Sequence, residues 1–189
     1  MFFTFPASSH VEHYKNIKEI NFELFRNNKL IGSHIYNFIK KNDELIVNSE
    51  IFFEIKKLGI VLYSYHAEGV ETYKNNEFVS FKSTTKQNKK NKFCKIFLQN
   101  EKFYIEGSSY NGDAPKDFIV GTWWNHSIIK KKSQISAISG RIIAQKVKFL
   151  GKEKLIINGE EINALHFNFS SRDKKLSKDK KLNTDVWYE

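Results

Sequence analysis

Polar and apolar positions alternate along most of the chain with a period of two, the spacing of side chains on a strand with one buried face. From Glu19 to Arg26, Ile20, Phe22 and Leu24 share one parity and Glu19, Asn21 and Glu23 the other. Asn27-Asn28 supplies a turn, and Lys29 to Lys40 answers as the return strand, with Gly32 as a bend. Glu44 to Lys57 sets Leu45, Val47, Ile51, Phe53 and Ile55 against Glu44, Asn48, Glu50, Glu54 and Lys56, and Gly59 turns it into the next strand. Strands longer than ~10 residues exceed the usual ~5–6 and are expected to coil.

In that next strand, Ile60 to Lys74, Val61, Tyr63, Tyr65 and Ala67 share the core parity, while Ser64, His66 and Glu68 share the other. Gly69 predicts a bulge, a bend or a close approach by another backbone. A bulge there brings Glu71 onto the face of His66 and Glu68 and makes a small polar cluster. The solvent face of a bent strand gives the same pattern.

Asn75-Asn76 turns into Glu77 to Thr85, the basic loop Gln87 to Asn91 into Phe93 to Leu98, and Asn100 into Lys102 to Ser108. With every connection this short, sequential strands pair antiparallel. The meander breaks at the loop Tyr110 to Asp117. Trp123, Trp124 and Ile128 then predict a short helix or irregular plug against the mouth of the sheet. Strands resume at Arg141 to Leu150, turn at Gly151, and continue as Lys154 to Ile157, the Asn158-Gly159 hairpin into Glu161 to Ser170, and Thr184 to Glu189. The expected fold is all-β: a single domain over residues 1–189, one strongly twisted antiparallel open barrel or half-barrel of about ten strands with one short helical or irregular plug.

Composition narrows the picture. With 40% hydrophobic residues, 17 Phe, 8 Tyr and 3 Trp, the chain has the material for a core and is not of the disordered class. The net charge of +10 is carried in lysine-rich runs at 86–92, 130–132, 146–154 and 172–181. Lysines on turns and edge strands keep sheets apart and also favour an anionic membrane surface. They form no single stripe, so nucleic acid is not an expected partner. Cys94, the one cysteine, allows neither an internal disulfide nor a cysteine metal cage, and reads as an inert buried thiol. No apolar run reaches the ~20 residues of a membrane-spanning helix. The start, MFFTFPASSH, reads as the remnant of an export signal within residues 1–17 or as a first strand.

Nucleotide, phosphate-loop, zinc-protease, EF-hand and serine-elbow motifs are all missing. The six histidines are scattered, apart from His10 and His13. An acid–base enzyme would draw on His66, Glu68, Glu71 or His126. The aromatic parity points elsewhere: Phe22, Phe53, Tyr63, Tyr65, Phe81, Phe167 and Phe169 crowd the inner side of a curled sheet, which is either a filled core or the lining of an apolar site. His34, Tyr63, Tyr65, Trp123 and Trp124 are the candidate lining residues, with His66 and Glu68 as candidate polar contacts. Neither a cofactor nor a metal is expected.

The segments FELFRNNKLIGSHIYNF, YSYHAEGVETYKNNEFVSFKSTT, TWWNHSII and the terminal DVWYE resemble an uncharacterised bacterial family of small exported β proteins, relatives of the half-barrels typified by the lipoprotein-localisation carriers. The resemblance implies an open barrel, export to the periplasm and an apolar ligand. It brings no catalytic residues. Non-catalytic binding of a lipid or other apolar molecule is the expected function. A small enzyme on a hydrophobic substrate and a basic surface for anionic lipid or nucleic acid are the alternatives.

Overall fold

A computed structural model describes residues 16–157, 159–173, 175–177 and 181–189, and the chain is all-β. His10, His13 and Asn158 lie outside the described residues. The alternation predicts one sheet of about ten strands; the described residues form thirteen strands in two sheets, of eight and five. The chain divides into two compact units.

The first unit comprises the chain up to Lys116 together with Ala137–Arg141. Its strands are β1 (Glu19–Arg26), β2 (Lys29–Lys41), β3 (Glu44–Lys57), β4 (Ile60–Lys74), β5 (Glu77–Gln87), β6 (Lys90–Gln99), β7 (Lys102–Gly107) and β8 (Asn111–Pro115), a meander in which each pairs with its sequence neighbours. Six of the connections are two-residue tips, and the first tip residue has φ between 50° and 53° in all six. That left-handed backbone matches strand twist and suits asparagine. β8 was expected to be loop. Asn, Gly and Asp do not preclude a short edge strand, and its one proline closes the strand where no ladder donor is needed.

Register sorts the core face of this sheet into rows. One row runs Phe38, Val47, Glu71, Phe81, Ile96 and Ile105, and most of it is fully buried. Each large apolar side chain buried there contributes about 1.5–3 kcal/mol. The next row is small: Ser49, Gly69, Ser83, Cys94 and Gly107 face one another across β3 to β7. Gly69 is a close approach and not a bulge, because β3–β4 pairing runs unbroken from Glu44–Lys74 to Ile55–Tyr63 and a Cβ at Gly69 would come within 2.8 Å of the Ser49 hydroxyl. The missing bulge corrects the placement of Glu71. It keeps the parity of Tyr65 and is buried on the core face, where the Tyr73 hydroxyl donates to it at 2.7 Å.

Small side chains at the far end of that row admit a backbone. Residues Ala137–Arg141 cross it: Ser83 donates its hydroxyl proton to the Ala137 carbonyl, and Ser109 N donates to the Ser139 carbonyl at 2.9 Å. A Cβ on Gly107 would sit 2.5 Å from the Ser139 oxygen, so only glycine fits beneath the strap. Cys94 is fully buried in the same row, and burial pushes its thiol up to about 12, which leaves it unreactive.

The second unit comprises Asp117–Ser136 and Ile142–Glu189. β9 (Ile119–Val120), β10 (Ser133–Ile135), β11 (Ile142–Ile157), β12 (Glu160–Ser171) and β13 (Asn183–Tyr188) lie in the order β13-β12-β11-β10-β9, antiparallel except for β9–β10. Gly151, expected as a turn, instead sits in a bulge within one long strand: the register shifts between Phe149 and Gly151 and pairing continues. A 3₁₀ turn at His126–Lys130 is capped by the Asn125 side chain. Gln145, fully buried, donates from Nε2 to the carbonyls of Ile128 and Lys131 at 3.1 and 2.9 Å and fixes that turn to the sheet.

Candidate functional site

The core face of the eight-stranded sheet is not uniform. Beyond the small row, toward the tips of the β1–β2 and β3–β4 hairpins, lie Phe22, His34, Ile51 and Ala67, and then Leu24, Gly32, Phe53, Tyr65 and Gln87, with Ile55 and Tyr63 beyond. The rings associate: Phe53 stacks on Tyr65 at 5.1 Å and on Tyr63 at 5.8 Å, and His34 lies 4.3 Å from Tyr36 and 6.2 Å from Phe22. Phe22 nevertheless remains 50% exposed, and His34, Phe53 and Tyr63 are only half-buried. A Cβ at Gly32 would overlap the Phe52 carbonyl and Phe53, so the glycine allows Phe53 its place in the stack.

This end of the face is apolar and, apart from one lysine, uncharged. Burial holds the His34 imidazole down to about 4, so it is neutral at physiological pH. Burial likewise pushes the Tyr65 phenol up to about 12. At its border Lys92 Nζ donates to Gln87 Oε1 at 3.0 Å, and Gln87 Nε2 donates to the Tyr63 hydroxyl oxygen, which leaves the phenolic proton to point elsewhere. His34, Tyr63 and Tyr65 are thus brought onto one face, and Phe22, Phe53, Gln87 and Lys92 complete it.

His66 and Glu68 occupy the opposite face of β4. There His66 Nε2 is 3.0 Å from Glu50 Oε1, and Glu50 stands directly across from Glu68. One ligand atom from each of the three lies within 4.8 Å of the others, a set of one nitrogen and two oxygens that could hold a divalent cation. A depression of about 360 Å³ borders His66 and Glu68, with Thr84, Lys86, Asn91 and Phe93 also on its wall. The structure thus groups His66 and Glu68 with Glu50, in the place that the sequence offers to Glu71.

Trp123 and Trp124 belong to the second unit. Trp123 packs edge-on against Phe169 at 5.2 Å and its carbonyl accepts from the Tyr188 hydroxyl at 3.0 Å, while Trp124 is buried. His126 is in the 3₁₀ turn, 6.4 Å from the Tyr188 ring. A further cluster gave no sign in the spacing. His166 stacks on Trp187 at 4.2 Å, its Nδ1 is 2.7 Å from Glu153 and its Nε2 3.4 Å from Asp185. Hydrogen bonds from Trp187 and His166 hold the Glu153 carboxyl below its usual range. Both ring nitrogens of His166 already face carboxylates, so this histidine is engaged within the fold.

The model of a family described as "Domain of unknown function (DUF6134)" matches residues 22–189. Among solved structures the chain is similar to a beta-barrel-like protein of the domain of unknown function DUF1849 from Brucella abortus, at a TM-score of 0.52 and 12% identity over 82% of this chain and 76% of that one. That likeness is one of fold. No curated protein matches the chain.

Proposed function

The chain belongs to the DUF6134 family, and for this member of it we propose non-catalytic binding of an apolar molecule with one polar end, such as a fatty acid or lipid, on the open half of the core face. One observation carries the reading: a contiguous set of aromatic side chains on the core parity of β1 to β4 keeps accessible surface at its rings, led by Phe22 at 50% exposure. Apolar groups left in water on a core face are a characteristic of ligand sites. An acyl chain laid against Phe22, Ile51 and Phe53 would bury them, and a carboxylate at the border would meet Lys92 and the Tyr63 hydroxyl. The resemblance to carrier half-barrels supports carriage in an exported, periplasmic setting. Displacement of a fluorescent fatty acid by oleate tests the binding. Saturation at one molecule per chain, weakened in Phe53→Ala, is the expected result, and no saturable binding removes the reading.

A second reading rests on Glu50 and Glu68, which face each other as like charges across β3 and β4, a repulsion that a bound cation would relieve. With His66 they would hold zinc or a similar divalent ion beside the adjoining depression. Calorimetric titration of zinc chloride into chelator-treated protein should show one site that is lost in Glu68→Gln. Heat that survives that change, or none at all, discards it.

A further inference from the structure

The six two-residue tips of the large sheet share one backbone but not one chemistry. Asn27, Asn42, Asn75, Asn88 and Asn100 hold the first position of five tips; Leu58 holds the sixth, at φ 51° and followed by Gly59. A bulky residue in the left-handed region is strained, and asparagine relieves that strain at the other five tips. Leu58 is also 93% exposed, so it packs against almost nothing. Local strain and full hydration of a leucine are two penalties for which the fold offers no compensation.

Leu58 is not isolated. Ile60 and Leu62 on the outgoing strand are exposed, as are Phe25 and Leu30 on the adjoining β1–β2 hairpin. The two tips meet: Arg26, Lys29, Lys56 and Lys57 line one depression of about 330 Å³ together with Leu62. Of these cations Lys56 is held by Glu54 at 2.8 Å. An apolar point ringed by basic side chains is complementary to one surface in particular, a bilayer whose headgroups are anionic and whose interior begins just beneath them.

We propose that the Leu58–Gly59 tip and the β1–β2 tip beside it dock the protein on an anionic membrane, with Leu58 inserted among the acyl chains and Arg26, Lys29 and Lys57 at the phosphates. The surface borders the open aromatic face, to which Ile55 belongs and whose parity Phe25 and Leu30 continue, but its docking role does not depend on what that face binds.

Flotation with vesicles of phosphatidylcholine, with and without phosphatidylglycerol, tests this on the full chain. The protein should float with the anionic vesicles only, and less so as salt rises. Leu58→Asn installs the residue of the other tips. It should leave the melting temperature unchanged or higher while lowering vesicle affinity by roughly tenfold. Lys57→Glu should weaken binding to anionic vesicles with oleate binding intact. Three results would each overturn the proposal: no flotation, flotation indifferent to both substitutions, or a fall in melting temperature in Leu58→Asn, which would give the leucine a role in folding. Concentration-dependent dimerisation abolished by Leu58→Asn would overturn it too, by assigning the tip to a second copy of the chain.

Discussion

Two halves of one sheet face share the same strands and the same alternation, yet differ in what covers them. In the half nearest the β2–β3 and β4–β5 tips, Val47, Phe81 and Ile96 are at most 2% exposed. In the other half Phe53 stacks on Tyr63, Phe22 stands edge-on to Tyr36, and all three of Phe22, Phe53 and Tyr63 remain partly open. Between them runs the row of small residues on which Ala137–Arg141 lies. The lesson is that an aromatic parity has two uses along a single strand: where the rows are covered it is core, and where they are not it is available surface.

The sharpest contrast comes from one substitution made in both halves. Phe81→Ala should cost about 3–5 kcal/mol, since it opens a cavity in packed surroundings. Phe22→Ala, at a half-exposed site, should cost about 1 kcal/mol and instead lower fatty-acid affinity. Chemical denaturation of both variants, with oleate binding measured alongside, checks this, and equal stability losses would erase the distinction. Next in size is Gly107→Ala under the strap, where a methyl against the Ser139 carbonyl should cost about 1–3 kcal/mol. A neutral result there would mean the strap lies elsewhere.

His34 adds a pH dependence to the open half. Its folded value of about 4 lies below the unfolded 6.5, so the unfolded state binds the extra proton between those values. Stability contributed by neutral His34 is therefore complete above pH 6.5 and lost on acidification through that window, by about 3 kcal/mol. Melting curves from pH 7 to 4 should show the slope, and His34→Gln should flatten it. The smallest expected effect is Tyr63→Phe, which removes the acceptor for Gln87 at about 0.5–1 kcal/mol in stability. Its larger consequence should be weaker binding of a carboxylate-ended ligand than of the matching alcohol.

Most of the large sheet was legible because its strands are long, alternate cleanly and end in asparagine tips. The polar site was only half legible. Extending the β3–β4 pairing outward from the Leu58–Gly59 tip without a bulge sets Glu50 opposite Ala67. The register shift beside Lys56 moves it opposite Glu68, and no residue type in the sequence announces that shift. A lone glycine in a strand signals a bulge, a bend or a close approach alike; at Gly69 it is the close approach, which leaves Glu71 on the core face. Asn111–Pro115 and the continuity of β11 through Gly151 were missed because glycine and proline mark both turns and irregular strands. The His166 cluster needs the registers of β11, β12 and β13 together, which spacing alone does not supply.

The most direct measurement is native mass spectrometry of the freshly purified chain, followed by organic extraction and by reloading with oleate. The expected spectrum shows one apolar molecule per chain, released by extraction, restored by oleate and diminished in Phe53→Ala. A chain that is empty when purified and still empty after incubation with oleate and membrane lipids would contradict the assignment of the open half to a ligand.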